Sequence, residues 1–174
     1  MKALLNAINE IIAPQFQQKT TVLTESKIID YPQIKIIKVG KALFYKFDTD
    51  DVDIFPYFNK AVPFLNKMCD YIIFYPYDTT MFVFLCELKT ERIHNSSKQL
   101  ESAKLFAEFL IKTARKHLHF KSFDVEYRAL IFSTSKKRKF SLNKKSAYLQ
   151  YQPSHLKYKH LKAGRSCYLD HHCY

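Results

Sequence analysis

The chain has 174 residues, 47% hydrophobic and 25% charged, with a formal net charge of +12, a composition that suits one globular domain rather than a disordered chain. Two glycines, Gly40 and Gly164, leave no material for a Gly-rich phosphate loop of either the mononucleotide or the dinucleotide kind. No apolar run reaches the length of a membrane span, and Asn6, Asn9 and Glu10 break the N-terminal stretch, so a cytoplasmic protein with reduced cysteines and no membrane partner is expected.

In chain order, residues 2–13 read as an amphipathic helix stopped by Pro14. Strand character follows in "TTVLT" at 20–24, "IKIIKVG" at 34–40 and "ALFYKF" at 42–47. The run 54–68, interrupted by Pro56 and Pro63, reads as irregular. "DYIIFY" at 70–75 and "MFVFLCELK" at 81–89 are the clearest strands, rich in β-branched and aromatic residues, with a turn between them. A helix is expected over 96–117, where Leu100, Ala103, Ala107, Leu110 and Ala114 recur on one stripe and Ser96 with Gln99 fits a capping box. "DVEYRALIFST" at 124–134 is a third strong strand. Residues 134–174 are basic and aromatic with weak periodicity, and read as an extension of a core that covers about residues 1–133.

The charge is uneven. Between Lys112 and Arg165 there are 15 Lys and Arg against two acids, Asp124 and Glu126. Lys136, Lys137, Arg138, Lys139, Lys144 and Lys145 form its densest part. Such an excess predicts a polyanion partner, because phosphate neutralisation supplies most non-specific nucleic-acid affinity. Tyr127, Tyr148, Tyr151 and Tyr158, in or near this region, can stack on unpaired bases.

The candidate chemistry lies in the strand pair. If Tyr75 faces Phe82 across a six-residue loop, Asp70 falls opposite Glu87, and Lys89 shares the face of Glu87 because side chains alternate along a strand. Two carboxylates at that spacing suit Mg²⁺ or Mn²⁺, and a lysine beside them suits a developing phosphorane charge. Cys69 and Cys86 are expected on the opposite face as buried small residues. "CYLDHHCY" at 167–174 carries Cys167, His171, His172 and Cys173, a set of zinc-ligand types, but the spacing is not that of paired C-x2-C knuckles and a docked or flexible tail is the better reading.

Asp70 followed by Glu87-Leu88-Lys89, with the acids on adjacent strands and a helix after them, resembles the PD-(D/E)xK nuclease superfamily. Cys69 stands where the motif often has Pro. The resemblance covers about residues 1–133 and implies an α/β fold with a restriction-endonuclease-like αβββαβ core, a mixed central sheet flanked by helices. It implies metal binding by Asp70, Glu87 and the carbonyl of Leu88, catalysis by Lys89, a supporting Gln99 on the following helix, and Glu10 as an additional acid on the first helix. The expected activity is metal-dependent hydrolysis of nucleic-acid phosphodiesters, of DNA before RNA, in restriction, antiviral defence or repair. With no sequence-reading module evident, an ATPase or helicase partner or a homodimer is expected to supply specificity. The alternative is a non-catalytic nucleic-acid-binding subunit that keeps the fold.

Overall fold

The computed structural model describes residues 2–25, 28, 30–47, 49, 54–63, 65–90, 96–119, 123–135, 148–152 and 154–174. The six basic residues expected to contact nucleic acid, Lys136, Lys137, Arg138, Lys139, Lys144 and Lys145, lie outside the described residues.

Helix α1 (Lys2–Ile11) stops ahead of Pro14, whose ring disfavours a helical residue before it, and a 3-10 turn (Pro14–Phe16) leads into β1 (Gln17–Gln18). Then come β2 (Val22–Leu23), β3 (Ile34–Ile37), β4 (Leu43–Tyr45), β5 (Tyr71–Tyr77) and β6 (Thr80–Lys89). Helix α2 (Ser96–Leu118) precedes β7 (Asp124–Ser133), β8 (Leu149–Gln150), β9 (Lys157–Lys162) and β10 (Cys167–Tyr168). The fold is α/β. Seven strands form a mixed sheet in the order β1-β4-β5-β6-β7-β9-β8, and β10-β3-β2 form a second sheet of three. The pairs from β1 to β6 are antiparallel, whereas β6–β7 and β7–β9 are parallel. A parallel neighbour requires a crossover connection, and α2 supplies the one between β6 and β7.

Period-two alternation sorts the strands into two cores. Ile72, Phe74, Val83, Leu85, Ala129 and Ile131 face the helices, where they meet Leu4, Ile8, Leu100 and Ala103. Alanines at 103, 107 and 114 let α2 approach the sheet closely, and all three are fully buried. Ile73, Phe84, Leu130 and Phe132 face the other way, onto the three-stranded sheet and the C-terminal residues Leu169 and Cys173. Each fully buried Phe or Ile contributes roughly 1.5–3 kcal/mol through removal from water, so losing Phe84 or Ile73 would open the layer that holds β3 against β5 and β6.

Three features differ from the sequence reading. The β5–β6 register is the expected one, Tyr75 opposite Phe82, but pairing continues to Tyr77 opposite Thr80. The loop is therefore a two-residue turn, with Asp78 in the left-handed region at φ 52°, a conformation that Asp tolerates. Residues after 134 are not merely an extension: β9 joins the large sheet and β10 the small one. Cys69 is on the helix side and not opposite Asp70's face, because it precedes β5, where strict alternation does not hold. Cys86 does lie on the far face, and both thiols are buried.

Candidate active site at the open end of the β5–β6 hairpin

Asp70 stands one residue before β5, and Glu87 and Lys89 lie in the last turn of pleat of β6. Tyr71 pairs with Cys86, so the next step along the hairpin brings Asp70 beside Glu87. Asp70 Oδ2 accepts a 2.6 Å hydrogen bond from the backbone N–H of Leu88. The lysine ammonium forms an ion pair with Glu87 and donates to Gln99 Oε1 at 3.1 Å. Gln99 Nε2 in turn donates to the carbonyl of Met68 at 3.3 Å, two residues before Asp70. Asp70, Glu87, Lys89 and Gln99 thus form one connected group spanning β5, β6 and the first turn of α2.

Gln99 is consequently not the partner of Ser96 in a capping box. Its amide is committed to Lys89 and Met68, and Ser96 Oγ is buried with no hydrogen-bond partner. The backbone under the group is clamped from β7. Thr134 N–H donates to the Lys89 carbonyl at 3.3 Å, and Ser133 Oγ donates to the Thr90 carbonyl at 2.6 Å.

Electrostatics follow from burial. Glu87 is 0% exposed and Asp70 7%, so two carboxylates share a space with little water. Burial, and then the Glu87 charge, push the Asp70 carboxyl well above the usual carboxylate range; the Leu88 amide and Lys89 pull it back in part. Glu25, in the segment before β3, adds to the upward push on Asp70. The hydroxyl of Tyr31 donates to the Phe132 carbonyl at 2.9 Å, and it is raised by burial and then by the Asp70 charge.

Glu10 is exposed on α1, and the further acid that acts on Asp70 is Glu25. Neither Glu25 nor Tyr31 carries a sequence signal, since each lies in a segment without periodicity and arrives through the pairing of β2 with β3. Among the described residues, no group of three or more His, Cys, Asp and Glu side chains is arranged to hold a metal ion. The C-terminal set is a docked tail: Cys173 Sγ donates to the Leu169 carbonyl at 3.3 Å, His172 lies edge-on to Phe84, and the Tyr77 and Tyr174 hydroxyls are 2.7 Å apart. Burial pushes both Cys167 and Cys173 up to about 12, which leaves them as thiols. Of the four tyrosines, Tyr151 and Tyr158 stack on each other at 4.0 Å, and Tyr127 packs against the helix-side core.

Asp70 and Glu87 offer hard oxygen donors of the kind Mg²⁺ or Mn²⁺ takes, and a site of two carboxylates suits an ion that keeps several waters. Among the described residues, no helix is long and apolar enough to cross a membrane. No protein-family model matches the chain, and neither does any curated protein or solved structure.

Proposed function

We propose that this protein is a Mg²⁺- or Mn²⁺-dependent nuclease of the PD-(D/E)xK kind, hydrolysing phosphodiester bonds of DNA in preference to RNA. The observation that carries the reading is Lys89 held between Glu87 and Gln99, with Asp70 hydrogen-bonded to the amide of the intervening Leu88. An ordinary surface ion pair has no use for a second buried carboxylate beside it, which burial and like charge make costly. The finer fold reading belongs to the same proposal. With β1, β8, β9 and the small sheet taken as additions, the remaining order α1, β4, β5, β6, α2, β7, with β6 and β7 parallel, supports assigning an αβββαβ core.

In this reading Asp70, Glu87 and the Leu88 carbonyl would hold the metal, which would supply Lewis acidity toward a phosphate and lower the pKa of a water. Lys89 places its ammonium where charge builds up on the pentacovalent phosphorus. Gln99 fixes the lysine's direction through the Met68 carbonyl. The basic excess of the C-terminal third supplies backbone contacts without base reading, so specificity comes from a partner such as an ATPase or helicase, or from a second copy.

A second reading, a nucleic-acid-binding subunit without catalysis, draws on the same contacts: the Lys89 ion pair occupies Glu87, and Leu88 occupies one oxygen of Asp70. Incubation with plasmid and single-stranded DNA, with and without Mg²⁺ or Mn²⁺, separates the two. Metal-dependent cleavage that is lost on Glu87→Ala supports the nuclease. Binding without cleavage under every metal condition supports the subunit.

A further inference from the structure

On the sheet face turned away from Asp70 and Glu87, two cations are buried around one tyrosine. Arg128 lies opposite Phe84 on β6, and Lys159 lies opposite Leu130 on β7, so both point into the aromatic and aliphatic layer of that face. They are 5% and 4% exposed. The Arg128 guanidinium is 5.3 Å and the Lys159 ammonium 4.3 Å from the centre of the Tyr148 ring. Arg128 has an ion pair with Glu126, yet its Nε is sealed from solvent without an acceptor. Lys159 has no hydrogen bond or ion pair among the described residues, only the ring.

Magnitudes decide what this arrangement means. A desolvated cation–π contact is worth about 2 kcal/mol, whereas a buried ion without a counter-charge costs several kcal/mol. Among the described residues, Glu126 is the acid that forms an ion pair with these cations. From Tyr127 to Leu169 the sequence has no Asp or Glu, and the next acid, Asp170, lies 3.6 Å from His171. The Tyr148 hydroxyl is already directed to the His172 carbonyl at 3.2 Å. Arg128 and Lys159 against Glu126 leave one positive charge, and long lysines keep their ammonium toward the surface even when the stem is buried.

We propose that Arg128 and Lys159, both set against the Tyr148 ring, form a second anion site that takes a single phosphate group. One residual charge matches the single charge of a phosphodiester, and the charged residues of the stretch from Tyr127 to Leu169 are Lys and Arg without an acid, which suits a phosphate polymer better than an isolated carboxylate. The site deepens the nucleic-acid reading above by adding a backbone anchor remote from the scissile bond, and its test involves no cleavage.

The test is thermal unfolding in EDTA of the whole chain, titrated with inorganic phosphate and with chloride at matched ionic strength. Wild type gains several degrees with phosphate and not with chloride. Lys159→Met, which keeps the apolar stem, loses that response and is more stable than wild type without phosphate; Lys159→Arg keeps the response. Lys159→Gln is the second charge-removing variant should the methionine fail to fold. Equal phosphate shifts in wild type and in the Met or Gln variant, or no shift in wild type, overturn the site. Binding of a single-stranded oligonucleotide in EDTA identifies the source of the phosphate. A loss of about 30-fold or more in Lys159→Met assigns it to nucleic-acid backbone. Unchanged oligonucleotide affinity with a lost inorganic-phosphate response assigns it to a free phosphate. Failure of metal-dependent cleavage touches neither result.

Discussion

The Leu88 backbone N–H donates to Asp70 Oδ2 at 2.6 Å, which ties the residue between Glu87 and Lys89 to the carboxylate on the neighbouring strand. That bond favours the charged form of Asp70, but burial and Glu87 outweigh it and the carboxyl is pushed up. A carboxyl whose pKa is higher folded than unfolded binds more protons in the folded state. Its contribution to stability is complete below the ordinary value of 3.8 and is lost as pH rises through the folded pKa. Metal-free wild type should therefore lose stability as pH rises above the ordinary carboxylate range. Asp70→Asn, which keeps an acceptor for Leu88, should flatten that slope and raise the urea midpoint at neutral pH. Equilibrium unfolding in EDTA across the pH range checks both.

Removing the lysine should uncouple metal binding from turnover. Lys89→Ala strips Glu87 of its counter-charge and leaves a more negative pocket, so Mn²⁺ should bind more tightly than in wild type. Cleavage should nevertheless fall by about 10³-fold, the scale of losing a positioned charge in the transition state. Mn²⁺ titration by electron paramagnetic resonance and single-turnover cleavage read the two quantities separately. Cleavage at the wild-type rate would remove Lys89 from the chemistry.

Ser96 gives a test with opposite signs. As an N-cap, its replacement by Ala would cost about 1 kcal/mol. Its Oγ is instead buried without a partner, so Ser96→Ala should stabilise the protein by about 1 kcal/mol by removing an unsatisfied polar atom. Chemical denaturation decides between them.

The docked tail should be acid-sensitive. Burial, and then the Lys159 and His171 charges, pull His172 down to about 4 from an ordinary 6.5. The folded state thus resists protonation that the unfolded state accepts, and stability present above pH 6.5 is lost as pH falls toward 4, by about 3 kcal/mol in all. His172→Phe should remove most of that slope, and thermal unfolding between those two pH values measures it.

The helices and the hairpin were legible because each repeats its signal. Val83, Leu85 and Glu87 alternate with Phe84, Cys86 and Leu88 across the two faces, and the assumed pairing of Tyr75 with Phe82 is the observed register, although the turn is shorter than expected. Strand β9 was not legible, since Lys157, Lys159 and Lys162 mask a strand in which tertiary contacts bury Lys159 and half-bury Lys157. Two-residue strands such as β1, β8 and β10 have no period to read. Within the site, Asp70, Glu87 and Lys89 came from the register and alternation of the hairpin, and Gln99 from the resemblance to PD-(D/E)xK nucleases. Glu25 acts on Asp70 because strand pairing across the small sheet, and not any local pattern, brings its segment toward that carboxyl.

The late position of β9 and β10 bears on biogenesis. Cys167 pairs with Ile36 and Lys159 with Leu130, so both sheets wait for residues synthesised well after β7. A nascent polypeptide that has emerged only through β7 presents two edges that the complete fold closes, at β7 and at β3, with Leu130 and Phe132 lacking the cover of Leu169 and Cys173. Pairings of such long sequence separation form slowly, and open edges of this composition invite intermolecular pairing. Ribosome-stalled lengths ending before β9 should therefore remain protease-sensitive and recruit holdase chaperones, with protection appearing in one step once β10 has cleared the exit tunnel.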